Sequence, residues 1–242
     1  PWAGIKVARG EGSDNRRPFD SAQVEQLLMR SAELTDPGER WSWPLGLMLG
    51  LRIEEVACLR LEDLVVLDGI CCLQIRPEAH LRGALKTKSS ERVLPLPAAL
   101  LRLGWWEWAS AQPPGWLFEA GTIPVGDPRR SHSLSIRNGK TLRNRWRIRD
   151  PRLVFHSTRH TFAARAVQAG VPDRLVQALM GHSQGKSMTA RYSGEFSLGQ
   201  LRDAIDQIPW PDAEQRSVST GPADAGHGRR PIATESATSG NN

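Results

Sequence analysis

Hydrophobic residues recur along this chain in two rhythms, and the changes between them predict its elements. After Asp20, the residues Val24, Leu27, Leu28 and Leu34 follow at helical intervals through SAQVEQLLMRSAEL, which predicts a helix with one apolar stripe and Asp20 as its N-cap. A break is expected at Asp36–Gly38. The next stretch, WSWPLGLMLGLRIEEVACLRLEDL, is almost wholly apolar in its first half, as a helix buried on all sides would be, and Gly50 precedes a second helical turn carrying Arg52 and Glu55. An arginine so close behind an apolar run must be paired or functional, because an unpaired charge is costly to bury.

From Val65 to Pro97 the rhythm shortens. VVLDGICCLQI around an Asp-Gly turn, and ERVLPLP after the polar KTKSS, predict a small antiparallel sheet with Lys86 and Lys88 near a turn. Residues 98–128 are expected to form a helix and then a Pro/Gly-rich loop, with Trp105, Trp106 and Trp108 packing rather than stacking bases. Helical spacing returns from Ser157 to Met180, interrupted at AGVP, where Gly170 can end one helix and Pro172 can open the next at N1. SLGQLRDAIDQI predicts a last helix. The pattern is α+β, mostly helical with a small antiparallel β-sheet.

The remaining segments lack periodicity. Residues 1–18 read as a linker and the chain as a fragment of a longer protein; residues 211–242, polar and rich in small residues, are expected to be disordered. The longest apolar runs are too short to span a membrane, and three cysteines do not make a disulfide framework, so the expected setting is a reducing cytoplasm.

Among 242 residues the net charge is +6, and its distribution says more than its size. Arg129, Arg130, Arg137, Lys140, Arg143, Arg145, Arg147, Arg149, Arg152, Arg159 and Arg165 stand against Asp150 alone. Arginine suits phosphate recognition, so this stretch is either a solvated basic surface or, as favoured here, a footing for nucleic acid. Tyr192 is the only tyrosine. It lies ten residues after His182, while HSTRH puts His156, Arg159 and His160 at i, i+3 and i+4, on one face if helical. A metal site on these histidines would lack the glutamate of HExxH, since positions 157 and 158 are Ser and Thr. His160 is assigned to structure.

GLRIEE (Gly50–Glu55), KTKSSERVLPLP (Lys86–Pro97), HSTRHTFAARAVQAG (His156–Gly170) and MGHSQGKSMTARYSG (Met180–Gly194), in that order, resemble the catalytic domain of tyrosine recombinases of the phage-type integrase family, over roughly Pro18 to Ile208. The resemblance implies a linker at 1–18 from a missing N-terminal core-binding domain, a catalytic domain at 19–210 and a tail at 211–242. Arg52 resembles the first catalytic arginine, supported by Glu55. Lys86 resembles the hairpin lysine, with Lys88 a rival that spacing leaves open. His156 and Arg159 match the H-x-x-R box, His182 the GH box and Tyr192 the nucleophile.

The implied activity is site-specific cleavage and rejoining of double-stranded DNA through a 3′-phosphotyrosyl link, without ATP, metal or other cofactor. Arg52, Arg159 and His182 would bind the scissile phosphate, His156 would accept the phenol proton, and Lys86 would protonate the leaving 5′ oxygen. A tetramer on synapsed DNA is implied, with a monomer in solution and a nucleoid-associated location in a bacterial cell. SLGQLRDAIDQI could dock on a neighbouring subunit or on its own domain. Three other readings remain: a type IB topoisomerase-like enzyme, a non-catalytic DNA-binding module, and a metal-dependent nuclease using His156, His160 and His182.

Overall fold

The computed structural model describes residues 16–76, 91–121, 129–181 and 196–211. The expected linker and tail therefore lie almost wholly outside the described residues. Helix α1 (Ser21–Ala32) starts where the spacing places it: Asp20 accepts the Gln23 N–H at 2.8 Å, and the Gln23 side chain accepts the Asp20 N–H at 3.1 Å, a reciprocal capping box. Val24, Leu27, Leu28 and Leu34 are all buried. Of the expected break at Asp36–Gly38, only Asp36 stays outside a helix: Pro37 and Gly38 already belong to α2 (Pro37–Met48), because Asp36 caps the Glu39 N–H and Pro37 takes the first helical position.

Every side chain of α2 from Trp41 to Met48 is buried, so this helix is the centre of the core. Trp43 meets Trp146 at 5.0 Å and Phe155 at 5.4 Å between ring centroids. Against it runs α7 (Ser157–Gln168). The two approach so closely that a Cβ on Gly46 would stand 2.6 Å from Thr158 Oγ1 and 2.9 Å from Phe155 Cζ, which leaves room only for glycine.

After the short α3 (Ile53–Ala57) and a 3-10 turn, β1 (Leu64–Leu67), β2 (Ile70–Ile75) and β3 (Arg92–Pro95) form an antiparallel sheet in that order. Asp68 and Gly69, both at positive φ, make the expected hairpin turn. The register pairs Leu67 with Ile70 and Leu64 with Leu73, and on the other side Ile75 with Arg92. Helices α4 (Ala98–Arg102) and α5 (Trp105–Ser110) follow. Their tryptophans pack as expected: Trp105 is fully buried, Trp106 is half-buried on the core, and Trp108 stacks on Phe118.

Helix α6 (Ser131–Lys140) continues into a π-type turn at Thr141–Arg145. The break at AGVP separates α7 from α8 (Asp173–Met180), although Pro172 stands at the N-cap with extended ψ rather than at N1. The last helix, α9 (Leu198–Asp206), is capped by Ser197 and packs on its own domain, against β3 and α8, with Ala204, Ile205 and Ile208 buried. Asp206 accepts the Ala98 N–H at 2.8 Å, and Arg165 of α7 donates to the Pro209 carbonyl.

Candidate functional site

The site is built on the turn between α2 and α3. Gly50 has φ +63°, and a Cβ there would lie 2.9 Å from Phe162 Cδ1, so glycine lets the chain turn hard against α7. Arg52 follows as the N-cap of α3. Its backbone N–H donates to Glu55 Oε2 at 2.8 Å and its Nη1 to Glu55 Oε1 at 2.9 Å, which holds the one-third-exposed guanidinium on the carboxylate.

The same carboxylate is gripped from the sheet. Arg92 of β3 donates Nη1 to Oε1 at 3.1 Å and Nη2 to Oε2 at 3.2 Å, while its Nε donates to the Leu179 carbonyl. Burial alone would raise the pKa of Glu55, but Arg92 and then Arg52 outweigh it and hold the carboxyl below its ordinary value. Glu55 is thus a fixed anion that orients two arginines and a weaker base than an ordinary carboxylate.

Arg159 enters from α7 and is almost fully buried. Its Nη1 donates to the Gly50 carbonyl at 2.6 Å, two residues before Arg52, and its Nη2 to the Met180 carbonyl at 2.5 Å, at the end of α8. Gly181 closes that helix at φ +63°, and a Cβ on it would lie 2.7 Å from Arg92 Nη1. Burial first, and the Arg52 charge next, push the Arg159 pKa down to about 9. It stays charged at neutral pH. Among the described residues three guanidinium groups gather at one carboxylate, two of them buried and Arg52 one-third exposed, and an excess of positive charge so placed is relieved by an anion.

His156 stands at the N-cap of α7, exposed, with its ring 5.1 Å from the His160 ring in edge-on contact. Partial desolvation, followed by the charges of His160, Arg159, Arg52 and Arg16, lowers its pKa. The neutral imidazole, a proton acceptor, is therefore favoured. The expected shared face of His156, Arg159 and His160 divides in two: His160 stays at the surface beside His156, while Arg159, turned about 60° the other way round the helix, is buried. Lys86, Lys88, His182 and Tyr192 lie outside the described residues. The chain does bring Gly181, the neighbour of His182, against Arg92.

The basic stretch is only partly a surface. Arg130 is buried, Arg137 pairs with Glu39, and Arg143 donates to the carbonyls of Ile148, Asp150 and Leu153, so these three hold the fold together. Arg152 and Arg17 both bind Asp150. The exposed basic residues are Arg129, Lys140, Arg145, Arg147, Arg149 and Arg152. Sequence reasoning noted Arg92 as part of a motif and missed that it shares Glu55; its signal was a basic residue at the head of an otherwise apolar strand. Among the described residues no three His, Cys, Asp or Glu side chains come together as metal ligands would, and no helix is long and apolar enough to cross a membrane.

No curated protein matches the sequence. Among solved structures, the integrase from mycobacterium phage Brujita is similar with a TM-score of 0.51 at 19% identity, over 83% of this chain and 60% of that one. The Tn1549 transposon integrase in complex with transposon right end DNA is similar with a TM-score of 0.51 at 19% identity, over 82% and 67% of the two chains. In complex with a circular intermediate DNA, the same integrase gives 0.52 at 18%, over 84% and 68%. The chain thus spans three fifths of the Brujita protein, and the likeness is one of fold. The model of the phage integrase family matches residues 18–196, a span that runs through α1 to α8 and includes every residue of the site, and the chain belongs to that family.

Proposed function

We propose that this protein is a site-specific DNA recombinase that cleaves and rejoins strands through a 3′-phosphotyrosyl intermediate, integrating or excising a mobile element. The observation that carries the reading is the pairing of Arg52, fixed on Glu55, with the buried Arg159 beneath the turn that leads to His182. A phosphodiester monoanion fits a centre with excess positive charge, and the charge that grows on its oxygens in the transition state fits it better.

In this mechanism Arg52, Arg159 and His182 hold the non-bridging oxygens. Tyr192 attacks phosphorus while His156, whose neutral form its surroundings favour, takes the phenol proton. The 5′ oxygen departs with a proton from Lys86, or from its neighbour Lys88. Reversal by a 5′ hydroxyl of another strand restores the diester and frees the tyrosine. The bond energy is kept in the ester, so no ATP is consumed, and the arginines supply the charge balance at the phosphate oxygens that a metal would otherwise give. Glu55 and Arg92 position the arginines, and His160 is a supporting neighbour of His156.

Double-stranded DNA is the partner, and the Tn1549 integrase, whose structures contain its element's DNA, supports that assignment by its fold. The exposed row from Arg129 to Arg152 supplies phosphate contacts. We assign a tetramer on synapsed DNA, a monomer in its absence, and a bacterial cytoplasmic, nucleoid-associated site of action. The test is covalent trapping on a nicked suicide duplex carrying the end sequence of the encoding element, with full-length protein, Tyr192→Phe beside it, and EDTA throughout. An adduct on a denaturing gel that requires Tyr192 supports the reading. Site-bound protein that forms none sinks it in favour of a non-catalytic DNA-binding module.

A further inference from the structure

Helix α3 is five residues long and carries two adjacent carboxylates that serve different neighbours, since successive helical residues are turned by about 100°. Glu55 faces the arginines of the site. Glu54 leaves it and accepts the N–H of Arg130 at Oε1 (3.1 Å) and the N–H of Ser131 at Oε2 (3.0 Å), where the ten-residue helix α6 begins. Backbone donors at a helix start have no partner within the helix, and a carboxylate there also meets the positive end of the helix dipole. The Cys58 thiol donates to the same carboxylate at 3.6 Å.

Arg130 closes the joint from the other side. Its Nε donates to the Ala57 carbonyl at the end of α3 (3.1 Å) and its Nη2 to the Phe118 carbonyl (2.7 Å), and its guanidinium lies 4.0 Å from the Trp116 ring, which Arg60 meets at 3.9 Å. The start of α6 is thus bound to both ends of the helix that begins with Arg52. Beyond this clamp, α6 and its turn carry the exposed Lys140 and Arg145, with Arg129 just ahead.

Building on the cleavage reading above, we propose that Glu54 is a positioning residue for strand cleavage. Its carboxylate locks the first turn of α6 onto α3, so that DNA phosphates held by the α6 surface and the scissile phosphate held by Arg52 stay in register. Glu54 touches neither the DNA nor the reacting atoms; it acts through the two helices.

The test compares full-length wild type, Glu54→Gln and Glu54→Asp on the suicide duplex. Three quantities are read: melting temperature, the slope of log Kd against log salt, and the single-turnover rate of adduct formation at saturating duplex. Glu54→Gln keeps the side chain's size, removes the charge and turns an NH2 towards one of the two backbone donors. We expect its rate at saturating duplex to fall about tenfold and its salt slope to shrink by about one phosphate. Glu54→Asp, which keeps the charge, should recover part of both. A lower melting temperature with wild-type rate and slope would overturn the inference and leave the cleavage reading standing. Absence of an adduct from wild type itself overturns that reading and the inference with it.

Discussion

Arg159 donates to the carbonyl of Gly50 at 2.6 Å, tying the middle of the core to the turn that presents Arg52. A lysine has one ammonium and cannot span the carbonyls of Gly50 and Met180 with a planar fork. Arg159→Lys should therefore reduce single-turnover adduct formation by about 100-fold or more, the scale of one lost oxyanion donor. It should also destabilise the fold by about 1–3 kcal/mol through the unpaired carbonyls. A rate within threefold of wild type would remove Arg159 from the phosphate site.

Glu55 is the buried anion between Arg52 and Arg92, and its removal strands both cations. Glu55→Gln should cost about 3–5 kcal/mol in urea unfolding at pH 7. The pH dependence has a definite sign. Because the folded pKa lies below the unfolded value of about 4.3, the contribution is complete above that value and is lost as pH falls through the folded pKa. Wild type should lose urea resistance below about pH 4.3 more steeply than Glu55→Gln; parallel curves would show that the carboxylate is not held by the arginines.

His156 should titrate below the ordinary imidazole value of about 6.5. As the proton acceptor it works when neutral, so the acid limb of cleavage should lie at lower pH than that of an ordinary imidazole. Its effect on stability has the same direction: full above the unfolded pKa, lost as pH falls through the lowered one. His156→Ala should slow cleavage by about 100-fold or more and flatten the acid limb. An unshifted limb in the variant would assign proton removal to another group.

Gly46 sits where α2 and α7 touch. Gly46→Ala places a methyl against Thr158 Oγ1 and should destabilise the domain by about 1–3 kcal/mol, as overpacking does, and urea unfolding measures it. An unchanged midpoint would mean that α7 can shift, and the Arg159 contacts with it.

Most elements were legible because each writes its own periodicity; α6 was not, because only Leu134, with the polar Ser131 and Asn138, forms its buried face, which leaves no apolar stripe to read. Asp20 marked a cap, Asp36–Gly38 a break and Asp68-Gly69 a turn, and the all-apolar run before Gly50 announced the central helix. The basic stretch was less legible. Composition counted Arg130, Arg137 and Arg143 as surface charge, whereas each spends its guanidinium on carboxylates, carbonyls or a ring within the domain. Whether an arginine faces a phosphate or a buried carbonyl depends on what docks above it, and that leaves no mark on spacing.

By itself the sequence determined where the strands and most helices run, though not α6, the kinds of residue available for phosphate chemistry, and the family resemblance they carry. Only the tertiary structure decided that Glu55 serves Arg92, 37 residues away, as well as Arg52, that Arg159 bridges two distant turns, that Glu54 belongs to α6 and that α9 folds back on its own domain. Local pattern reports which face of an element is apolar. Partnership between elements is set by how those faces pack, where burial and hydrogen-bond satisfaction are optimised for the whole domain at once.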